Sequence, residues 1–106
     1  MNSDRLDQLL NYYQEDSKDP FIIYGIAMEY WKFDLEKSRK YFEILLQNHP
    51  DYLATYYQVA HLYEELDEIE LAKQLYRKGI EIAEIQNNQN TLRELKNALQ
   101  ELEFFE

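Results

Sequence analysis

The feature that most constrains the fold of this chain is an internal repeat between residues 20 and 84. A shift of 33 residues aligns Tyr24 with Tyr57, Ala27 with Ala60 and Tyr30 with Tyr63. A shift of 34 residues then aligns Phe42 with Tyr76, so one residue is inserted at about Asp67. Repeats of this length are typical of helical hairpins, which stack because one hairpin alone cannot bury its apolar face. The sequence therefore predicts an all-α fold of stacked hairpins.

Composition narrows the class of protein further. The 106 residues are 45% hydrophobic with only 2 Gly and 2 Pro, which is too apolar for a disordered chain and too poor in turn residues for many strands. The formal net charge is −10 and no Lys/Arg cluster is present, so nucleic acid and anionic membrane surfaces are not expected partners. No apolar run is long enough to span a bilayer and no secretory signal pattern is present, so we expect one cytoplasmic domain, 1–106.

Capping residues divide the chain into about six helices. A leading helix over 3–16 begins at the candidate N-cap Ser3. The pair Asp19 and Pro20 combines an N-cap with a proline at the first helical position, where its missing N–H costs nothing, and predicts the start of the second helix. Asp34 predicts the start of the third helix in the same way, after a tight turn.

Two further helix starts are predicted in the second half of the chain. The fourth helix is expected from about Tyr52, and the fifth from about Glu68. Thr91 and Glu94 have capping-box spacing and predict a closing helix over 91–105. That helix carries one apolar stripe, formed by Leu92, Leu95, Leu99 and Leu102.

Each repeat presents the i, i+3, i+4, i+7 stripe of a helix buried along one face. The stripe comprises Ile23, Ile26, Ala27 and Tyr30 in the first repeat, and Tyr56, Val59, Ala60 and Tyr63 in the second. A second face of the first of these helices lies about 130° around its axis and consists of Phe21, Tyr24, Met28 and Trp31. Two interpretations of this aromatic face stay open: the leading helix covers Phe21, Tyr24 and Met28 as core, or the face is a contact surface.

The repeat resembles the tetratricopeptide repeat, whose pattern places an aromatic, Leu, Gly and Tyr on one helix and Ala, Phe and Pro on the next. The second copy has Tyr56-x2-Val59-Ala60-x2-Tyr63 and Ala72-x3-Tyr76, and the first has Ile23-x2-Ile26-Ala27-x2-Tyr30, Ser38-x3-Phe42 and Pro50. Both copies depart from the tetratricopeptide pattern, because Ala replaces the Gly of the first helix. Asp67 occupies the position at which the turn usually has Gly. The resemblance implies a right-handed stack of antiparallel helix hairpins with repeats at 20–50 and 51–84.

The resemblance also implies a protein-binding scaffold whose first helices line a groove. Carried over by position, the groove residues are Phe21, Tyr24, Met28, Trp31, Tyr57, His61 and Glu64. Relatives that grip a chaperone carboxylate use Lys, Asn and Arg at such positions, whereas this chain has Tyr24, Met28 and His61, so that ligand is not expected. The acidic, aromatic character favours a basic or apolar protein or peptide partner.

The residues also bear on alternatives to an adaptor. No Ser or Thr has a His at helical spacing, and His61 has no second nearby ligand, so we expect no enzyme activity, no cofactor and no metal site. Self-association as a homodimer is possible through the aromatic face or through the closing helix, whose leucines alternate as in a short coiled-coil seam. Those leucines also suit a helix that simply caps the last hairpin.

Overall fold

The computed structural model describes residues 4–105, and this part of the chain contains six α-helices and no strand. The helices are α1 Asp4–Glu15, α2 Pro20–Trp31, α3 Leu35–Asn48, α4 Ala54–Glu65, α5 Ile69–Ile85 and α6 Gln89–Phe105. The predicted all-α class with about six helices is confirmed. The candidate N-cap Ser3 lies outside the described residues. Over 4–105, no helix combines the length and the apolar character needed to cross a membrane.

Two predicted helix starts are confirmed by side-chain caps. The Oδ1 atom of Asp19 accepts the N–H of Phe21 at 2.9 Å, with Pro20 at the first helical position of α2. The Oδ1 atom of Asp34 accepts the N–H of Lys37 at 3.1 Å at the start of α3. Each cap satisfies a backbone N–H that has no partner within the first helical turn.

The predicted starts of the fourth and closing helices are wrong by two residues. Tyr52 lies in a turn in which its N–H donates to the carbonyl of His49 at 3.0 Å, and α4 begins only at Ala54. The closing helix begins at Gln89 rather than at 91, because Asn88 Oδ1 accepts the N–H of Thr91 at 3.0 Å. Asn88 is therefore the N-cap, and the capping-box prediction is wrong.

The ends of α4 and α5 share one motif that explains the early start of α6. Asp67 and Asn87 have φ angles of 60° and 57°, the left-handed conformation that usually follows a helix. The next N–H then folds back onto the helix: that of Glu68 donates to the carbonyl of Tyr63 at 2.8 Å, and that of Asn88 to the carbonyl of Ala83 at 2.9 Å. The chain reverses within three residues, so α6 begins directly after Asn88.

The described residues divide into an N-terminal unit that ends at Thr55 and a C-terminal unit that begins at Tyr56. In the N-terminal unit, α2 packs against both α1 and α3. Leu6 and Leu9 of α1 are buried with Ile26 and Tyr30 of α2. The hydroxyl of Ser38 donates to the carbonyl of Ala27 at 2.7 Å, which joins α3 to α2.

In the C-terminal unit, α5 lies against both α4 and α6. A Cβ placed on Gly79 would lie 2.7 Å from Cβ of Tyr56 and 3.1 Å from Cδ1 of Leu95, so the two helices meet α5 at this glycine. The core of this unit consists of Tyr56, Val59, Ala60, Leu62, Tyr63, Ala72, Tyr76, Ala83 and Leu95. The domain assignment 1–106 and the repeat boundaries stay predictions.

Candidate functional site

The aromatic face predicted on α2 is partly exposed. Phe21 is 62% exposed, and Tyr24, Met28 and Trp31 are half-buried. Phe21 is therefore not covered as a core residue, and Tyr24 and Met28 are only partly covered. The leading helix contacts α2 at Gly25, where Cδ1 and Cδ2 of Leu9 lie 3.1 and 3.3 Å from a Cβ placed on the glycine.

Aromatic packing holds the half-buried members of this face in place. The ring of Tyr24 lies 6.2 Å from the ring of Phe42 and 5.9 Å from that of Tyr52, measured between centroids. The ring of Trp31 meets Phe42 edge-on at 5.9 Å. These distances fall in the range of favourable aromatic pairs, so the face is ordered by the packing of α2 on α3.

The three predicted groove residues of the second repeat line a single cavity in the C-terminal unit. Tyr57, His61 and Glu64 follow one another at i, i+4 and i+7 on one face of α4 and line a cavity of about 370 Å³. The facing wall belongs to α6 and consists of Glu94, Asn97, Ala98, Glu101, Leu102 and Phe105. Aromatic rings and carboxylates therefore converge on one space between α4 and α6.

On the α4 side of this cavity, the carboxylate of Glu64 is held by polar contacts. The hydroxyl of Tyr76, a fully buried residue of α5, donates to Oε2 of Glu64 at 2.5 Å. Nδ1 of His61 lies 3.5 Å from the same oxygen, and the His61 ring packs edge-on against Tyr57 at 4.7 Å and Tyr76 at 6.1 Å. The carboxylate of Glu64 is thus held by contacts to a single one of its oxygens.

The electrostatics of the cavity are dominated by carboxylates. Burial raises the pKa of Tyr76 above its ordinary value, and the hydrogen bond and the negative charge of Glu64 raise it further, with smaller effects from Tyr57 and Glu101. The phenol therefore stays a neutral donor. Among the described residues that line the cavity there is no Lys or Arg, and neither Glu94 nor Glu101 forms an ion pair within 4–105.

The α6 wall was missed by the sequence interpretation. The repeat ends at residue 84, and the leucine stripe of the closing helix does not include Glu94, Asn97 or Glu101. A signal was available, because Glu94, Asn97, Ala98, Glu101, Leu102 and Phe105 follow the spacing of one helix face. The sequence did not indicate which other helix that face would meet.

The arrangement suits noncovalent recognition. Tyr57 and Phe105 offer ring surface, while Glu64, Glu94 and Glu101 offer acceptor oxygens. The part of the chain that the structure covers has no group of three or more His, Cys, Asp or Glu side chains placed to hold a metal ion.

Comparison with known proteins finds similarity to solved structures. No protein-family model matches the sequence, and no curated protein matches it either. A solution structure of a tetratricopeptide repeat domain protein from Salinibacter ruber is 39% identical, covers 86% of this chain and 93% of its own, and superposes with a TM-score of 0.82. A crystal structure of the same Salinibacter ruber domain is also 39% identical, covers 83% of this chain and 99% of its own, and has a TM-score of 0.78.

Proposed function

This chain belongs to the tetratricopeptide repeat family, a family of protein-interaction modules, and from that premise we propose that it is a non-enzymatic adaptor that holds a peptide or helix of a partner protein. The observation that carries the proposal is the convergence of Tyr57, His61 and Glu64 on one cavity with the face of α6. The aromatic side chains supply an anchor surface and the carboxylates supply an acidic rim, which favours a basic or apolar partner segment.

The aromatic face of α2 is proposed as a separate contact surface. Phe21 projects 62% exposed beside the half-buried Tyr24, Met28 and Trp31. Exposed aromatic side chains next to a packed support are frequent anchors of protein contacts, since they bury much area and lose little conformational entropy. Phe21→Ala should weaken partner binding, whereas Phe33→Ala, which truncates another exposed phenylalanine, should leave it unchanged.

The cavity can be tested by selection from a random peptide display library, which requires no identified partner. Asn97 is an exposed residue of the cavity wall, so Asn97→Trp should fill the cavity without disturbing the core. Gln74→Trp makes the matched change on an exposed site of α5 that does not line the cavity. Peptides selected on the unmodified protein should lose binding to the Asn97→Trp variant and keep binding to the Gln74→Trp variant.

The selection can also contradict the proposal. Selected peptides that bind both variants equally well would place binding outside the cavity. Circular dichroism of both variants should show unchanged helix content, so that loss of binding is assigned to the filled cavity and not to unfolding. A library that yields no specific binder also counts against the adaptor function.

Self-association is a second candidate function, favoured by the apolar end of α6. Phe104 and Phe105 are 79% and 78% exposed and pack on each other at 4.9 Å between ring centroids. A homodimer would bury these rings, although the charge of −10 on each chain opposes association at low salt. Light scattering should then report a dimer that Phe104→Ser disrupts, and a monomer at high concentration and high salt excludes this function.

A further inference from the structure

We infer that the cavity between α4 and α6 receives an arginine side chain of the partner protein, an inference that rests on the adaptor function proposed above. Glu64 stands on the α4 wall, and Glu94 and Glu101 stand on the α6 wall. A cationic side chain that enters between them would meet acceptors on both sides. An anionic or neutral polar side chain would find no charged donor from Lys or Arg among the described lining residues.

Two of the cavity carboxylates carry no ion pair with the described part of the chain. Some glutamates of α5 and α6 outside the cavity are neutralised within the same unit: Glu103 pairs with Arg77 at 2.8 Å, and Glu81 lies 4.0 Å from Lys78. Glu94 and Glu101 have no such pair within 4–105. Their charge is therefore available to a cation from another molecule.

Contacts with neighbouring residues hold Glu64 in position to accept a hydrogen bond from the cation. Its two described polar contacts, from the hydroxyl of Tyr76 and from His61, both go to Oε2, which leaves Oε1 as an acceptor for a ligand. Because Tyr76 is fully buried, this carboxylate is held in position before binding and loses little freedom on binding. Burial is the main cause of the raised pKa of the Tyr76 phenol, and the hydrogen bond and charge of Glu64 and the charge of Glu101 add to it, which agrees with a negative potential in this space.

The aromatic part of the wall favours arginine over lysine. The rings of Tyr57 and Phe105 both line the cavity. A guanidinium is planar, stacks on aromatic faces and is weakly hydrated, whereas an ammonium is a strongly hydrated point charge. A guanidinium can also donate to carboxylates on opposite walls at once, since its five N–H donors point in different directions in one plane. A volume of about 370 Å³ leaves room for the aliphatic stem.

The test is a titration of the full ¹⁵N-labelled chain with three capped tripeptides, monitored by proton–nitrogen correlation spectra. The probes are glycine–arginine–glycine, its citrulline counterpart, which has nearly the same shape without the charge, and its lysine counterpart. The arginine peptide should shift the amides of residues 57–64 and 94–105 in a saturable way. The citrulline peptide should bind at least about tenfold more weakly, because it loses the charge-assisted hydrogen bonds, and the lysine peptide should also bind more weakly.

Two variants test whether the arginine peptide binds in the cavity. Glu101→Gln should weaken binding of the arginine peptide, and Glu84→Gln, which makes the same charge change at an exposed position outside the cavity, should not. The spectra themselves report whether each variant is folded. Equal binding of the arginine and citrulline peptides, or of the arginine and lysine peptides, overturns the inference, as does an arginine peptide that shifts no cavity amide. The adaptor proposal is judged separately, since peptides from the display selection can depend on the cavity without containing arginine.

Discussion

The packing of α5 at Gly79 gives a prediction whose sign depends on the tertiary structure. By helix propensity alone, Gly79→Ala inside α5 should stabilise the protein by about 1 kcal/mol. The added Cβ, however, would lie 2.7 Å from Cβ of Tyr56, whereas carbon atoms in contact are ordinarily about 3.5 to 4.0 Å apart. Cβ of Tyr56 is attached to the backbone and cannot rotate away, so α4 and α5 must separate.

The net effect follows from the two opposing contributions. Overpacking of this kind costs about 1 to 3 kcal/mol, which exceeds the gain in propensity at the middle of that range. We expect the free energy of unfolding of the Gly79→Ala variant to fall by about 1 kcal/mol.

Gly25→Ala is the matched control, because it makes the same change inside α2. Its Cβ would lie 3.1 Å from Cδ1 of Leu9, which is the flexible end of a side chain and can shift by a few tenths of an ångström. Most of the propensity gain should therefore remain, and the free energy of unfolding should rise by about 0.5 kcal/mol. Urea denaturation followed by circular dichroism measures both variants. A Gly79→Ala variant that equals or exceeds the Gly25→Ala variant in stability would refute the close-approach argument.

Four further predictions concern single residues. Tyr76→Phe removes only the hydroxyl that donates to Glu64 and should lower the free energy of unfolding by about 1.5 kcal/mol or more, since the acceptor is charged; an unchanged urea midpoint would contradict this. Because the pKa of Tyr76 in the folded protein is raised above its ordinary 10.0, the unfolded chain loses that proton first, so this stabilisation is complete below about pH 10 and is lost as the pH rises further. Between about pH 9 and pH 11, the melting temperature of Tyr76→Phe should consequently fall less than that of the unmodified protein. An equal dependence of melting temperature on pH in the two proteins would show that Tyr76 does not cause the loss of stability. Asp34→Ala should lower the free energy of unfolding by about 1 kcal/mol, because the N-cap of α3 is lost. Gln47→Ala on the exposed side of the same helix should change the free energy of unfolding little. Equal chemical denaturation curves for the two variants would count against a stabilising cap. Asp67→Gly should raise stability by about 0.5 kcal/mol because glycine adopts the left-handed conformation without strain, and an Asp67→Ala variant that is as stable as the glycine variant would disprove that reason.

Local patterns in the sequence predicted much of the fold. The stripe Ile23, Ile26, Ala27 and Tyr30 is buried as its spacing indicated, and so is the corresponding stripe of α4. Asp19 and Asp34 cap the helices that they were expected to cap. These features depend on residues within one or two turns of each other, so the information that decides them is local.

The predicted starts of α4 and α6 are wrong because a chain reversal decides the backbone conformation there. The capping box at Thr91 and Glu94 has correct spacing, but the left-handed Asn87 turns the chain early enough for Asn88 to cap α6 first. Tyr52 continues the apolar pattern backwards from α4, yet it lies in a turn whose hydrogen bond to His49 precedes the helix. Spacing alone does not distinguish competing caps on neighbouring residues.

The sequence by itself determined that this chain forms helices, which face of each helix is buried, and that Tyr57, His61 and Glu64 share one face of α4. Only the tertiary structure decided what lies opposite that face. Glu94, Glu101 and Phe105 became part of the candidate site because α6 packs on α5 at Gly79 and presents these side chains toward α4. The physical reason is that helix periodicity fixes directions around one axis, whereas the partner of a face is fixed by the packing of segments that are distant along the chain.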